Sequence, residues 1–326
     1  FLFIDHLRTE TSLETYPTDM LFVTWLQDSM TDICNREAAA KWNAAVDGRN
    51  RDLIIGYIGQ LKPFGYRDDR LVDIPMIVNP DIFRPRELTA EQKETYGCDV
   101  MFASNSGAPT DERIDEITRE FDARGLNCPP GLIQHLHDHL WQQYRAGRTF
   151  TSYDQLRREL AKLDGLGDWF AGLAEDDQAY VIQKLFWRLN DIIYRHVVIE
   201  WLDDYAQSHP DFKLHLYGNG WDRHPRFAPY HQGTLEHGEE LSIAYQAAGI
   251  CLHLNSAEGV HQRLYELVAS GGNPLIRRTR ATGRVEDVYG SAVRKTLRAW
   301  RDDTEPGLED KEKSALSDAV FRAATA

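Results

Sequence analysis

The chain lacks long apolar runs, metal-type cysteine pairs and an excess of basic charge, and each absence removes a class of function. Its longest apolar segments are short and strand-like, such as residues 53–58 (LIIGYI), well below the roughly 20 residues a helix needs to span a bilayer. Membrane contact is therefore expected to be peripheral at most. The four cysteines Cys34, Cys98, Cys128 and Cys251 stand far apart and form no C-x-x-C pair, which suits reduced thiols and a cytoplasmic location better than a disulfide framework or a structural zinc site. Lys plus Arg number 37 against 51 for Asp plus Glu, a formal net charge of −14. A field of that sign repels polyphosphate, so nonspecific nucleic-acid binding is not expected and any phosphate must be held by local groups. The opening FLFIDHL has neither a Met nor the basic-then-apolar layout of a signal peptide, and a clipped N-terminus is expected.

What is present is material for packed cores: 326 residues, 42% of them hydrophobic, enough for two α/β domains or one large one. Short β-branched runs at 20–25, 53–58 and 71–78 alternate with helix-compatible or turn-rich stretches, as buried parallel strands of an incomplete first lobe do. The Pro-rich, charged NPDIFRPREL follows. A second apolar run at 99–103 then ends in Ser104, Asn105, Ser106 and Gly107. This punctuation places the lobe boundary near residue 90. From 111 to 206 the pattern is helical, with Leu185, Leu189, Ile192, Ile193 and Val197 at three and four spacing. That is too long for one crossover, so a helical insert is expected at about 125–195. Strand character returns at 212–217, 249–254 and 274–276, with helices predicted at 238–247 and 259–270. The alternation predicts an α/β fold with a parallel sheet in a second lobe of about 91–300. Residues 301–326, acidic and then alanine-rich, form a tail or helix without a strong apolar stripe.

The informative segment is ICLHLNSAEGVHQRLYELVASGGNPLI, residues 250–276. It reads as a buried strand, a polar glycine-containing turn, a helix, a Gly-Gly stop and another strand. A helix starting near Gly259 aims free N–H groups and its positive dipole end at an anion in that turn, and Arg263 adds a bidentate charge. Glu258 and Glu266 stand at the helix mouth and about two turns further in, able to touch two ends of one ligand.

Strand, Glu, seven residues, Glu, then small residues and glycine resembles the donor-site signature of glycosyltransferases with two Rossmann-like lobes, the GT-B fold. More narrowly it is similar to the CgeB-like, spore-maturation-type branch, in which an Arg precedes the helix Glu by three positions, as Arg263 precedes Glu266, and a small-residue Gly-Gly ending follows, here Ala269 to Gly272. Residues 98–105 (CDVMFASN) and 216–221 (LYGNGW) extend the resemblance to roughly 72–290. It implies that Glu266 bonds the nucleotide ribose and Arg263 faces the diphosphate. It implies also that Glu258, with the turn of Asn255, Ser256 and Gly259, faces the donor sugar, and that Gly218, Asn219, Gly220 and Trp221 border the base. The helical insert is larger than such a lobe needs, and the first lobe is shorter than an acceptor half.

Each residue also has a plainer reading. A Glu pair at this spacing arises by chance in acidic chains, and only its company of strand, Arg263 and Gly-Gly favours a site. His261 in the first helical turn and His253 in the strand before it are either site groups or ordinary surface and core histidines. Ser104, Asn105 and Gly107 suit a phosphate loop or any tight turn, and Gly218 to Gly220 suit a base-binding turn or a strand exit. Asp28 after the first strand is a general-base candidate or a helix N-cap. His135 and His139, at i and i+4, have zinc-compatible spacing but no adjacent Glu, so a surface helix fits better. Arg277 and the basic run 278–284 hold phosphate or form a solvated face.

The sequence thus points to a metal-independent hexosyltransferase-like enzyme with no obligatory cofactor, using a nucleoside-diphosphate sugar and an acceptor of unknown kind, glycan, protein or small molecule. Catalytic candidates are Glu258, Asp28 and His261, and retention of configuration is favoured by resemblance. The rival readings are an epimerase or phosphorylase on the same architecture, or a noncatalytic lobe binding nucleotide or a partner.

Overall fold

The computed structural model describes residues 23–26, 36, 39–40, 42–44, 53–56, 61–62, 65–73, 78–257 and 261–277. The chain divides into two units, Phe1–Ile77 and Val78–Ala326, so the Pro-rich stretch after Val78 belongs to the second unit and the division falls before residue 90. In the first unit, β1 (Val23–Leu26), β2 (Leu53–Gly56) and β3 (Leu71–Asp73) form a parallel sheet in the order β1-β2-β3. These strands fall on the three apolar runs of the sequence. Central Ile54 is fully buried, Trp42 meets Tyr66 at 5.6 Å between ring centroids, and the Asn43 side chain bridges Gly65 O and Arg67 N.

The second unit opens with α1 (Ala90–Tyr96), fixed at its start by a capping box: Thr89 Oγ1 accepts from Gln92 N while Gln92 Oε1 accepts from Thr89 N. Then come β4 (Val100–Ala103) and a long helical passage: α2 (Thr110–Ala123), α3 (Leu132–Arg145), α4 (Tyr153–Leu160), α5 (Leu166–Ala171), α6 (Glu175–Leu185), a π turn at Phe186–Asn190, and α7 (Asp191–Ser208). The chain returns through β5 (Leu214–Tyr217), α8 (Glu239–Ala247), β6 (Ile250–His253), α9 (Gln262–Ala269) and β7 (Pro274–Ile276). All four strands are parallel, in the order β5-β4-β6-β7.

Strand parity decides what packs where. Successive side chains in a strand point to opposite faces, so Val100, Phe102, Leu214, Leu216, Ile250 and Leu252 lie in one core with the helices between β4 and β5. Met101, Tyr217 and Cys251 lie in the other, with Leu241, Ala244 and Tyr245 of α8 and Leu267 of α9. A parallel sheet covered on both faces reads as continuous apolar strands, which is why LHLY and ICLH carry so little charge. α7 is buried nearly all round, as a central helix must be. Its carboxylates Glu200 and Asp203 are therefore paired, with Arg145 and Arg226 on Glu200 and Arg226 and the Tyr230 hydroxyl on Asp203. Removing one partner of such a pair strands a buried charge.

The loops after β4 and β5 lock together. Trp221 is fully buried, and its indole N–H donates to Ser104 O at 2.8 Å. A Cβ at Gly107 would lie 2.2 Å from Trp221 N, and one at Gly218, where φ is +118°, would lie 2.3 Å from Ser104 O. The glycines are thus required by backbone meeting backbone. Gly107→Ala is expected to cost about 1–3 kcal/mol of unfolding free energy through overpacking, measurable by urea denaturation. A cost within about 0.5 kcal/mol of zero, the range of ordinary surface substitutions, would mean that the two loops separate freely.

Candidate functional site

In a sheet ordered β5-β4-β6-β7 the chain leaves β4 towards one side, returns across it, and continues on the other. Ligands of such sheets sit outside the carboxyl ends of the strands where the winding reverses. Here that point lies between the ends of β4 and β6, so residues 104–107 and 254–257 are its walls and α9 begins beside it.

The start of α9 is set by His261, whose Nδ1 accepts a hydrogen bond from Arg263 N at 3.2 Å. The helix ends where Gly271 takes φ +86°, the left-handed conformation glycine adopts without cost, and Gly272 then passes close under Tyr245 O. Glu266, one turn into the helix, is 3% exposed. Its Oε1 accepts from His237 Nε2 at 2.9 Å and from Gln262 Nε2 at 2.8 Å. His253, on the last position of β6, is buried, and its ring lies 6.5 Å from that of His261. Burial, then His261, Arg263 and Arg195, hold the His253 imidazole well below its usual proton affinity.

The turn after β6 is held from below. Ser256 is fully buried and its N–H donates to Asp191 Oδ1 at 2.8 Å; Asn255 Oδ1 accepts from Ala257 N. Arg277, just past β7, donates to Ser256 O and Ala257 O and lies over the Tyr194 ring, so this arginine anchors the turn. Asp191 Oδ2 pairs with Arg195 at 2.6 Å, and Arg195 also donates to Ser104 Oγ at 2.9 Å. Asp191 follows directly on the π turn, a feature frequent at functional sites.

The sequence candidates therefore separate. Ser104, Asn255, Ser256, His261, Arg263 and Glu266 line the switch point or the first turns of α9. Trp221 and the glycines Gly218 and Gly220 pack loop against loop, with the Asn105 side chain accepting from Asn219 N. Trp221 is fully buried and serves the packing of the two loops. Asp28, Glu258, Gly259 and the run 278–284 lie outside the described residues. Among the described residues no group of three His, Cys, Asp or Glu side chains could hold a metal ion, and no helix is long and apolar enough to cross a membrane. On α3, His137 Nε2 meets Thr110 Oγ1 and His139 Nε2 meets Glu159 Oε2, so these rings serve contacts between helices. Asp191, Tyr194 and Arg195 went unnoticed in the sequence; the available signal was a charged i, i+4 pair inside an otherwise apolar helix.

Deeper in the same wall, His196 is fully buried with Nε2 2.6 Å from Ser106 O, and burial brings it down to about 3. Its folded value lies below the unfolded value near 6.5, so in that interval the unfolded chain binds the extra proton and stability falls as pH falls. Between pH 6 and 4, His196→Gln is expected to flatten the stability profile by about 1.4 kcal/mol per pH unit, read as urea midpoints across pH. Parallel profiles would show that the imidazole titrates freely in the folded chain.

Compared with known proteins, residues 195–294 match the family model described as glycosyl transferase-like. No curated protein and no solved structure matches the chain. The matched stretch begins at Arg195 and carries β5, α8, β6, α9 and β7, together with His253, Ser256 and Arg263. This similarity, falling on a mixed α/β region with a parallel sheet, supports a general role in glycosyl transfer.

Proposed function

We propose that this protein transfers a sugar from a nucleoside-diphosphate-sugar donor to an acceptor, as a GT-B-type enzyme of two Rossmann-like lobes similar to the CgeB-like branch. The observation that carries the reading is the coincidence of the glycosyl transferase-like match with the winding reversal of the sheet: Arg263 and the N-terminus of α9 stand where that fold seats an anion. In a protein of net charge −14, a concentration of Arg and His at one crevice is the local device that a diphosphate requires.

The donor's ribose fits Glu266. Its Oε1 already accepts two hydrogen bonds, and among the described residues no group donates to Oε2, which leaves one carboxylate oxygen for a hydroxyl. The departing diphosphate meets the positive end of the α9 dipole and the Arg263 guanidinium, a fixed positive environment that needs no reorganisation as charge develops on the leaving group. That environment supports metal-independent transfer. By the resemblance Glu258, Asn255, Ser256 and Gly259 are the candidates to meet the sugar, where an oxocarbenium-like centre forms as the bond to the diphosphate breaks. Retention of configuration is the favoured outcome, and His261 and Asp28 are further candidates for proton transfer.

The test is thermal unfolding of the chain against ADP, CDP, GDP, TDP and UDP. One of them, at 100 times its dissociation constant, is expected to add about 2.7 kcal/mol to stability. Arg263→Ala and Glu266→Ala are each expected to weaken that nucleotide by about 1–3 kcal/mol. Absence of a shift with all five would reject the donor reading.

A further inference from the structure

α7 ends the helical insert rather than the nucleotide-binding element, yet it sends a cation to the same crevice. The Arg195 side chain is 18% exposed. One terminal nitrogen pairs with Asp191 and the other donates to Ser104 Oγ, while its buried Nε has no hydrogen-bond partner. Two neighbouring groups share that condition: His253 Nε2 and Ser256 Oγ, on residues 7% and 0% exposed, are buried without partners. Native interiors rarely leave polar atoms unmet, so several such atoms at one crevice call for a polar partner there. The charges agree. Arg195 and Arg263 repel each other, and both act on His253 and His261. Asp191 is the carboxylate that offsets them, and it is already committed to Arg195 and to Ser256 N–H.

We infer that Arg195 is a phosphate ligand: with Arg263, Ser256 Oγ and His253 Nε2 it clasps a diphosphate group at the crevice between β4 and β6. The inference rests on the donor reading for the identity of that anion and adds to it a contact from outside the β6–α9 segment. Asp191 is then a positioning residue, since one carboxylate orients the guanidinium and the Ser256 backbone together. The helical insert, on this assignment, completes the donor site.

Inorganic pyrophosphate probes the anion site without a base or ribose. Its affinity, and that of the nucleoside diphosphates, is read by calorimetry on the parent chain, on Arg195→Lys and on the double variant Arg195→Gln with Asp191→Asn. Lysine keeps a cation beside Asp191 but loses Nε and the planar fork, and the double change removes the buried pair together so that no lone charge is left; circular dichroism checks that both are folded. Both are expected to bind pyrophosphate about tenfold or more weakly, and the nucleoside diphosphate by the same factor. Glu266→Gln, by contrast, is expected to weaken only the nucleotide. Unchanged pyrophosphate affinity in both folded Arg195 variants overturns the inference, as does a parent chain that binds no pyrophosphate. Arg195-dependent pyrophosphate binding without nucleotide binding supports the anion site and overturns the donor reading. Nucleotide binding that depends on Arg263 but not on Arg195 does the reverse.

Discussion

A single buried carboxylate ties the parts of this site together. Asp191 takes the Ser256 N–H with one oxygen and the Arg195 guanidinium with the other, so the helix that closes the long passage after β4 and the turn that follows β6 share one anchor. Two structural needs meet there. The turn must present a polar N–H in an interior that penalises unmet donors, and the guanidinium must enter that interior with a counter-charge. The position of Ser256, the residue held by this anchor, therefore depends on α7.

The sheet supplies the rest of the geometry. Because parity sends even and odd strand residues into two separate cores, the crevice at the strand ends is bounded by a thick helical layer on one side and by α8 and α9 on the other. The first layer delivers Arg195, Tyr194 and His196, and the second delivers His261, Arg263 and Glu266. Buried histidines in both walls are kept neutral by their surroundings, so the fixed positive charge of the site belongs to the arginines.

The sequence disclosed these layers unequally. The strand at 250–253, the helix at 262–269 and its end at Gly271 were readable because each has a strong local cause: a continuous apolar run, the helical period and a glycine in the left-handed region. The three apolar runs before residue 80 were readable for the same reason. The glycine and tryptophan motif at 218–221 was legible as a turn but not in its purpose, since a short loop of small residues says nothing about which backbone will approach it. Asp191 and Arg195 look on paper like any solvated i, i+4 pair. Only the burial of the helix around them, a property of the tertiary fold, gives them a role. Proline and charge at 79–88 mark a loop without saying which unit that loop packs on.

The π turn at Phe186–Asn190 has a consequence for how this helix can change length. A π turn amounts to one extra residue held inside an α-helix, and each residue of an α-helix advances its neighbours by about 100° of rotation. Losing that residue would leave α6 and its packing partners where they are and turn the whole of the following helix by that angle, carrying its polar edge out of the crevice while leaving its composition intact. The segment 186–190 therefore sets a phase between two halves of one helix, and single-residue insertions or deletions there should be far less tolerated than larger changes in the loops between the preceding helices.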